Sequence, residues 1–175
     1  MTWTDQIGNL LKQYTSGGAA AAPAPDVHAH FDQVAEAAPS SALAEGLSAA
    51  FKSDQTPTFG QMLSTLFSNS SGEQKAGIIN QIMSSVPPGT LTSLLSGAGI
   101  AGILGSGTTQ ITPEQAQKIS PEAVQQLATQ AHTDNPSIVD SVSTFYAQHS
   151  TLIKTLGGTA LTIALAKVAE KQRRA

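Results

Sequence analysis

The chain contains no cysteine among its 175 residues. Disulfides, thiolate metal sites and cysteine nucleophiles are therefore outside its chemistry, and a reducing compartment is the expected setting. Charge is scarce too. Asp, Glu, Lys and Arg make up 12% of the residues, about half the usual ~25%, so Ser, Thr, Gln, Ala and Gly must cover much of the surface. A net charge of −3 leaves little repulsion between copies, which makes self-association an expectation. Residues 1–107 carry three basic side chains (Lys12, Lys52, Lys75) against seven acidic, and residues 108–175 carry six against five. Neither half has the basic surplus that neutralising nucleic-acid phosphates requires.

Long apolar runs are missing as well. The most apolar stretch, "TLGGTALTIALA" (155–166), lies between Lys154 and Lys167 and is shorter than the ~20 residues of a membrane-spanning helix. The opening "MTWTDQIGNLLKQY" lacks a basic n-region and a continuous apolar h-region, so no secretory signal is expected. These features describe a soluble, cytoplasmic protein. No segment alternates apolar and polar residues with period two, and neither Asn-Gly nor Asp-Gly occurs to turn a hairpin.

What the sequence does have is punctuation for helices. Trp3, Ile7, Leu10, Leu11 and Tyr14 fall on one face of an N-terminal helix over 1–14. A Gly/Ala/Pro linker follows at 15–25. Asp26 is placed to cap a helix bearing Val27, Phe31 and Val34, and Pro39-Ser40-Ser41 precedes another with Leu43, Leu47 and Phe51. Thr56-Pro57 opens a fourth. Ser71-x-x-Gln74 is a capping box for a fifth, which Pro87-Pro88-Gly89 ends. Thr112-Pro113-Glu114-Gln115, Ser120-Pro121-Glu122 and Asn135-Pro136 repeat the cap-plus-proline device. A last helix, about 151–172, is apolar all round in its middle, as befits a buried spine. The expected architecture is an all-α multi-helix bundle of short capped helices. It comprises a detached N-terminal amphipathic helix (1–14), the linker (15–25), a helical region (26–88), a Gly-rich connector (89–110) and a C-terminal helical domain (111–175).

Gly97-x-Gly99-x-x-Gly102 has the spacing of a dinucleotide fingerprint. That motif works between a strand and a helix, where backbone amides meet the pyrophosphate. Here "GTLTSLLS" before it reads as a helical turn and "ILGSGTT" after it runs into more glycine, so the reading is a flexible or closely packed connector. His28-x-His30 with Asp26 and Asp32 has the residue types of a metal site. Residues two apart on a helix diverge, however, and no H-E-x-x-H supports them. His132 and His149 suit helix C-termini. Glu73, Glu114 and Glu122 fall in first helical turns, where capping accounts for them, and no G-x-S-x-G elbow or Ser/His/Asp set is legible. No catalytic residue, cofactor or metal is expected. In "KVAEKQRRA", Lys167, Lys171, Arg173 and Arg174 suit a helix end and, alternatively, contact with an anionic surface.

"MTWTDQIGNLLKQY", the linker, the Gly-rich middle and "ITPEQAQKISPEAVQQLATQA…SIVDSVSTFYAQHSTLIKTLG" together resemble the YidB-like family of bacterial proteins of unknown function. The likeness is best over 111–157 and loosest over 26–88. It implies a short amphipathic first helix and paired, homeodomain-like helices near the end, but no activity or site residues. A recognition helix at 136–149 would offer DNA Asp140, one Gln (Gln148), and neither Arg nor Lys, so specific nucleic-acid binding is not expected.

The function expected is a non-enzymatic helical interaction or assembly protein. Its N-terminal helix (Trp3, Ile7, Leu10, Leu11, Tyr14) docks on another copy or another protein, or else folds back on its own core. A second expectation is peripheral membrane-surface association through that helix or the basic tail, disfavoured because Lys12 is offset by Asp5. The third is an enzyme with a pocket between helices.

Overall fold

Every regular element among the described residues of the computed structural model (3–16, 26–105 and 110–174) is helical, and no strand is present among them. The expected all-α, multi-helix fold is what the chain adopts. The side chains of Trp3, Thr4, Gln6, Gln13, Thr15 and Ser16 also lie outside the description. So do residues 17–25 of the expected linker and 106–109 of the Gly-rich segment.

In chain order the helices are α1 (Trp3–Ser16), α2 (Val27–Ala37), α3 (Ser40–Lys52), α4 (Phe59–Ser68), α5 (Gly72–Ser85) and α6 (Pro88–Gly97). They continue with α7 (Ala101–Leu104), α8 (Pro113–Gln117), α9 (Pro121–Asp134), α10 (Ile138–Ala147), α11 (Ser150–Ile153) and α12 (Gly158–Arg174). Two compact units result. Unit 1 takes 1–57 and 143–175, unit 2 takes 58–142, and the division falls within α10. The domains read from composition were consecutive along the chain. The contacts instead gather the N-terminal helices around α12.

In unit 1, α12 is the spine, packing on α3, α1 and α2. Six consecutive residues, 160–165, are buried, all apolar except Thr162, whose hydroxyl donates to the Gly158 carbonyl at 2.8 Å. The crossing of α3 and α12 depends on Gly46: a Cβ there would sit 2.6 Å from the Ala164 carbonyl oxygen. The detached first helix is corrected here, because α1 packs on α12 and α2. A helix of this length gains most of its stability from such packing.

The single last helix expected over 151–172 is also corrected, since α11 and α12 are separate. At the break, Thr155 donates its hydroxyl to the Leu152 carbonyl at 2.6 Å, and Thr155 and Leu156 make i to i−3 backbone bonds. Gly157-Gly158 then follows, the poorest helix-forming pair in that stretch.

In unit 2, α4 packs on α9, α5 on α8, and α6 on both α7 and α9. Phe59, Met62, Leu63, Leu66 and Phe67 of α4 and Ile78, Ile79, Ile82 and Met83 of α5 are buried. Gly60 allows α4 to meet α9, as a Cβ there would lie against Thr129 Oγ1 and 2.8 Å from the Gln125 carbonyl oxygen. Ser71/Gln74 and Thr112/Gln115 form complete capping boxes, and Ser120 accepts from the Ala123 amide.

The start of α4 differs from the reading. Thr58, paired with Gln61, is its cap, while the Thr56 hydroxyl donates to the Ala50 carbonyl at 2.6 Å. Asp26 precedes α2 without a side-chain capping bond. Asn135 does not cap α10 directly; it accepts from the Ser137 amide and donates to the Ser85 carbonyl at 2.8 Å.

The Gly-rich connector is mostly helical where described. Pro88 begins α6 instead of only ending α5. Gly99, at φ +73°, follows the α6 C-cap, with Gly99 N–H donating to Ser96 O and Ile100 N–H to Leu95 O. That pair of bonds is a Schellman cap. Among the described residues, added Cβ atoms at Gly97, Gly99 and Gly102 would meet nothing within 4 Å, so no close packing against them is seen there. The fingerprint spacing belongs to a helix stop and a short helix.

Candidate functional site

Residues singled out from the two distant ends of the sequence meet in unit 1, along the seam of α1 and α12. On α1, Ile7, Leu11 and Tyr14 are buried (4%, 1% and 6% exposed) and Leu10 is half-buried. Their spacing of four and three residues keeps them on one face. The buried members of the stripe are covered by packing on α12 and α2. Trp3, the fifth member, has a side chain outside the described residues.

The Tyr14 hydroxyl lies 2.7 Å from His30 Nδ1 on α2, with the two rings edge-on. Burial, and secondarily the Asp26 carboxylate, raises the Tyr14 phenol above its ordinary value of 10.0. His30 is thereby committed to α1, and Asp32 is paired with Lys154 at 2.9 Å. Among the described residues no three His, Cys, Asp or Glu side chains are placed to share a metal ion. His132 stacks obliquely near Phe59, and His149 near Phe145.

Three basic residues of α12 are drawn into ion pairs. Lys171 pairs with Glu45 of α3, Lys167 with Glu170 at 3.0 Å, and Arg174 with Glu170 at 2.6 Å. The Lys167 hydrogen bond, then the charges of Arg174 and Lys167, hold the Glu170 carboxyl below its usual value; Arg173 contributes in the same sense. Arg173 is exposed and lines, with Gly8, Leu11, Lys12, Ala169 and Gln172, a cleft of about 160 Å³ between α1 and α12. Lys12 and Arg173 thus line one space together with buried Leu11 and Ala169.

Glu45, Glu170, Gly8 and Gln172 were not singled out from the sequence. The spacings Lys167–Glu170 and Glu170–Arg174 are those of helical neighbours and could be read directly. Glu45 and Gly8 carry no local signal for their roles. A second cavity, about 410 Å³, lies along α6 and α9 in unit 2, with Leu94, Gly97, Gln126, Gln130 and Asp134 among its lining residues.

These features define an all-α protein of short helices, in which Leu11 and Arg173, singled out near opposite ends of the sequence, line one cleft between α1 and α12. Among its described residues no helix is long and apolar enough to cross a membrane. No family model, curated protein or solved structure matches the chain.

Proposed function

We propose that this chain is a non-enzymatic interaction protein that assembles by exchanging α1 between copies. The reading rests on one observation: α1 lays a buried apolar stripe on α2 and α12, yet joins them through "GGAAAAPAP" (17–25). That stretch contains only Gly, Ala and Pro and so carries no large apolar side chain. The seat on α2 and α12 offers the same contacts to α1 of its own chain and to α1 of a second copy. Exchange of an identical element is a low-cost route to a dimer. The low charge of the chain opposes such association weakly.

Cross-linking distinguishes the two arrangements cleanly because the chain has no native cysteine. Gly8 and Gln172 face one another across the seam, a Gly8 Cβ lying 3.7 Å from Gln172 Nε2. Two single variants, Gly8→Cys and Gln172→Cys, are mixed and treated with a short bismaleimide. Exchange yields a covalent heterodimer of the two variants. Absence of that band, together with a monomer mass by light scattering at every concentration, overturns the proposal.

A further inference from the structure

We propose that the cleft between α6 and α9 binds a neutral, polyhydroxylated small molecule of the carbohydrate class, held by Thr90, Ser93, Gln126, Gln130 and Asp134. Its volume of about 410 Å³ is ordinary for a small-molecule site. The cleft lies within unit 2 and does not involve α1, so binding there is independent of how α1 is exchanged.

Two helical rows build the cleft. Thr90, Ser93 and Gly97 recur at spacings of three and four on α6, and Gln126, Gln130 and Asp134 at spacings of four on α9, so each row keeps to one face of its helix. Asn135, next to Asp134, donates to the carbonyl of Ser85, just before α6. The end of α9 therefore lies at the start of α6, and the rows run antiparallel over about 10 Å. Ser93, Gln126, Gln130 and Asp134 are exposed and Thr90 is half-buried, so a ligand can reach all five.

The fold makes no use of these side chains. Every Ser and Thr hydroxyl on α4, α5 and α9 donates to a carbonyl of its own helix, Ser64 to Gln61 and Thr129 to Gln125 among them. Thr90 and Ser93 make no such bond. Gln61, Gln74 and Gln115 close capping boxes, whereas Gln126 and Gln130 neither cap a helix nor link two. Among the described residues, none of the five side chains in the cleft has a hydrogen-bond or ion-pair partner.

The residue types select the ligand. No charged residue and no histidine occurs between Lys75 and Glu114, so α6 brings no charge, and Asp134 is the one ionised group among the lining residues. An anion would meet that carboxylate with no cation to answer it. An ammonium ion would pair with Asp134 and leave the amide donors of Gln126 and Gln130 idle. A hydroxyl both donates and accepts. Each Gln offers a donor beside an acceptor, and Asp134 offers two acceptors; adjacent hydroxyls on a sugar ring match both.

The full chain, isotope-labelled, is titrated with glucose, maltose and myo-inositol, and in parallel with spermidine and inorganic phosphate, all at constant ionic strength. Saturable shifts of the Gln126 and Gln130 side-chain amide resonances are expected with at least one of the polyols. Gln130→Ala and Asp134→Asn should each weaken that binding about tenfold, whereas Gln148→Ala, in unit 1, leaves it unchanged. Circular dichroism verifies that each variant stays helical. Saturation by spermidine or by phosphate without any polyol binding overturns the proposal, since charge would then select the ligand. So does the absence of saturable polyol binding, and so does polyol binding that both cleft variants leave intact.

Discussion

The two units solve the same problem, holding short helices together, with different side chains. Unit 1 has seven acidic and seven basic residues, and two of its inter-helix links are ion pairs, Asp32–Lys154 and Glu45–Lys171. Unit 2 has five acidic residues and two basic, and its long-range links are amides. Asn80 donates to the Ile111 carbonyl at 3.2 Å and accepts from the Ile111 amide at 2.8 Å. Asn135 reaches the Ser85 carbonyl, and Gln115 the Ile103 carbonyl at 3.1 Å. Half-exposed ion pairs are screened by salt and water, while part-buried amides bonded to backbone leave unsatisfied groups when removed. Unit 1 is therefore built to respond to solution conditions and unit 2 to resist them.

The largest expected effects test what the units have in common, a glycine at the main helix crossing. Gly→Ala inside a helix normally stabilises by about 1 kcal/mol. Gly46→Ala and Gly60→Ala should instead destabilise by about 2–4 kcal/mol each, because the new methyl meets backbone carbonyls that move only with the helix. Urea unfolding at neutral pH measures this. A neutral or stabilising result at either position would show that the crossing relaxes and that the glycine is dispensable.

Next in size is the amide link of unit 2. Asn80→Ala removes a donor and an acceptor that both engage Ile111, leaving that residue's amide and carbonyl to find water; a loss of about 1–3 kcal/mol is expected. The loss should be the same in 0.05 and 1 M salt. An ionic-strength dependence would mean that the link is electrostatic after all, and the contrast between the units would fail.

The contrast also marks what was legible before any coordinates. Caps lie within four residues of the groups they satisfy, so Ser71/Gln74, Thr112/Gln115 and Ser120 could be read from spacing alone. Thr56-Pro57 misled because Thr58, two residues on, has its own Gln three residues later, and the hydroxyl of Thr56 was needed by the preceding helix. The apolar middle of α12 announced burial, but nothing local said that its neighbours would be α1, α2 and α3. Gly46 and Gly60 looked like ordinary glycines in good helical sequence, since what they make room for lies on another helix. The same holds for the candidate cleft: Lys12 and Arg173 were each visible as cations, and only tertiary packing placed them together. The Gly97–Gly102 spacing falls on the end of α6, a left-handed Gly99 and the short α7, a stop signal that Gly99 could have announced.

Smaller effects are expected from the links of unit 1. Asp32→Asn breaks a pair whose side chains are 49% and 34% exposed, and about 0.2–1 kcal/mol is the usual range for such pairs. The loss should shrink at 1 M salt, the opposite of the behaviour expected at Asn80. Equal losses at both salt concentrations would place Asp32 in a structural role beyond its charge.

The smallest effect is the pH dependence carried by Tyr14 and Glu170 of unit 1. The folded state holds the Tyr14 proton more tightly than the unfolded chain does, because burial raises the phenol above 10.0. Its contribution to stability is complete below that value and is lost as pH rises through the raised one. Glu170 runs the other way. Its carboxyl, lowered from 4.5 by Lys167 and Arg174, contributes above that pH and loses the contribution as pH falls through the depressed value. Because Glu170 is solvent-exposed, salt should erase the acid limb before the alkaline one. Circular-dichroism melts across pH 3 to 11 follow both limbs. Tyr14→Phe should flatten the alkaline limb, and persistence of that limb in the variant would assign it to another group and separate the docking of α1 from the Tyr14–His30 contact.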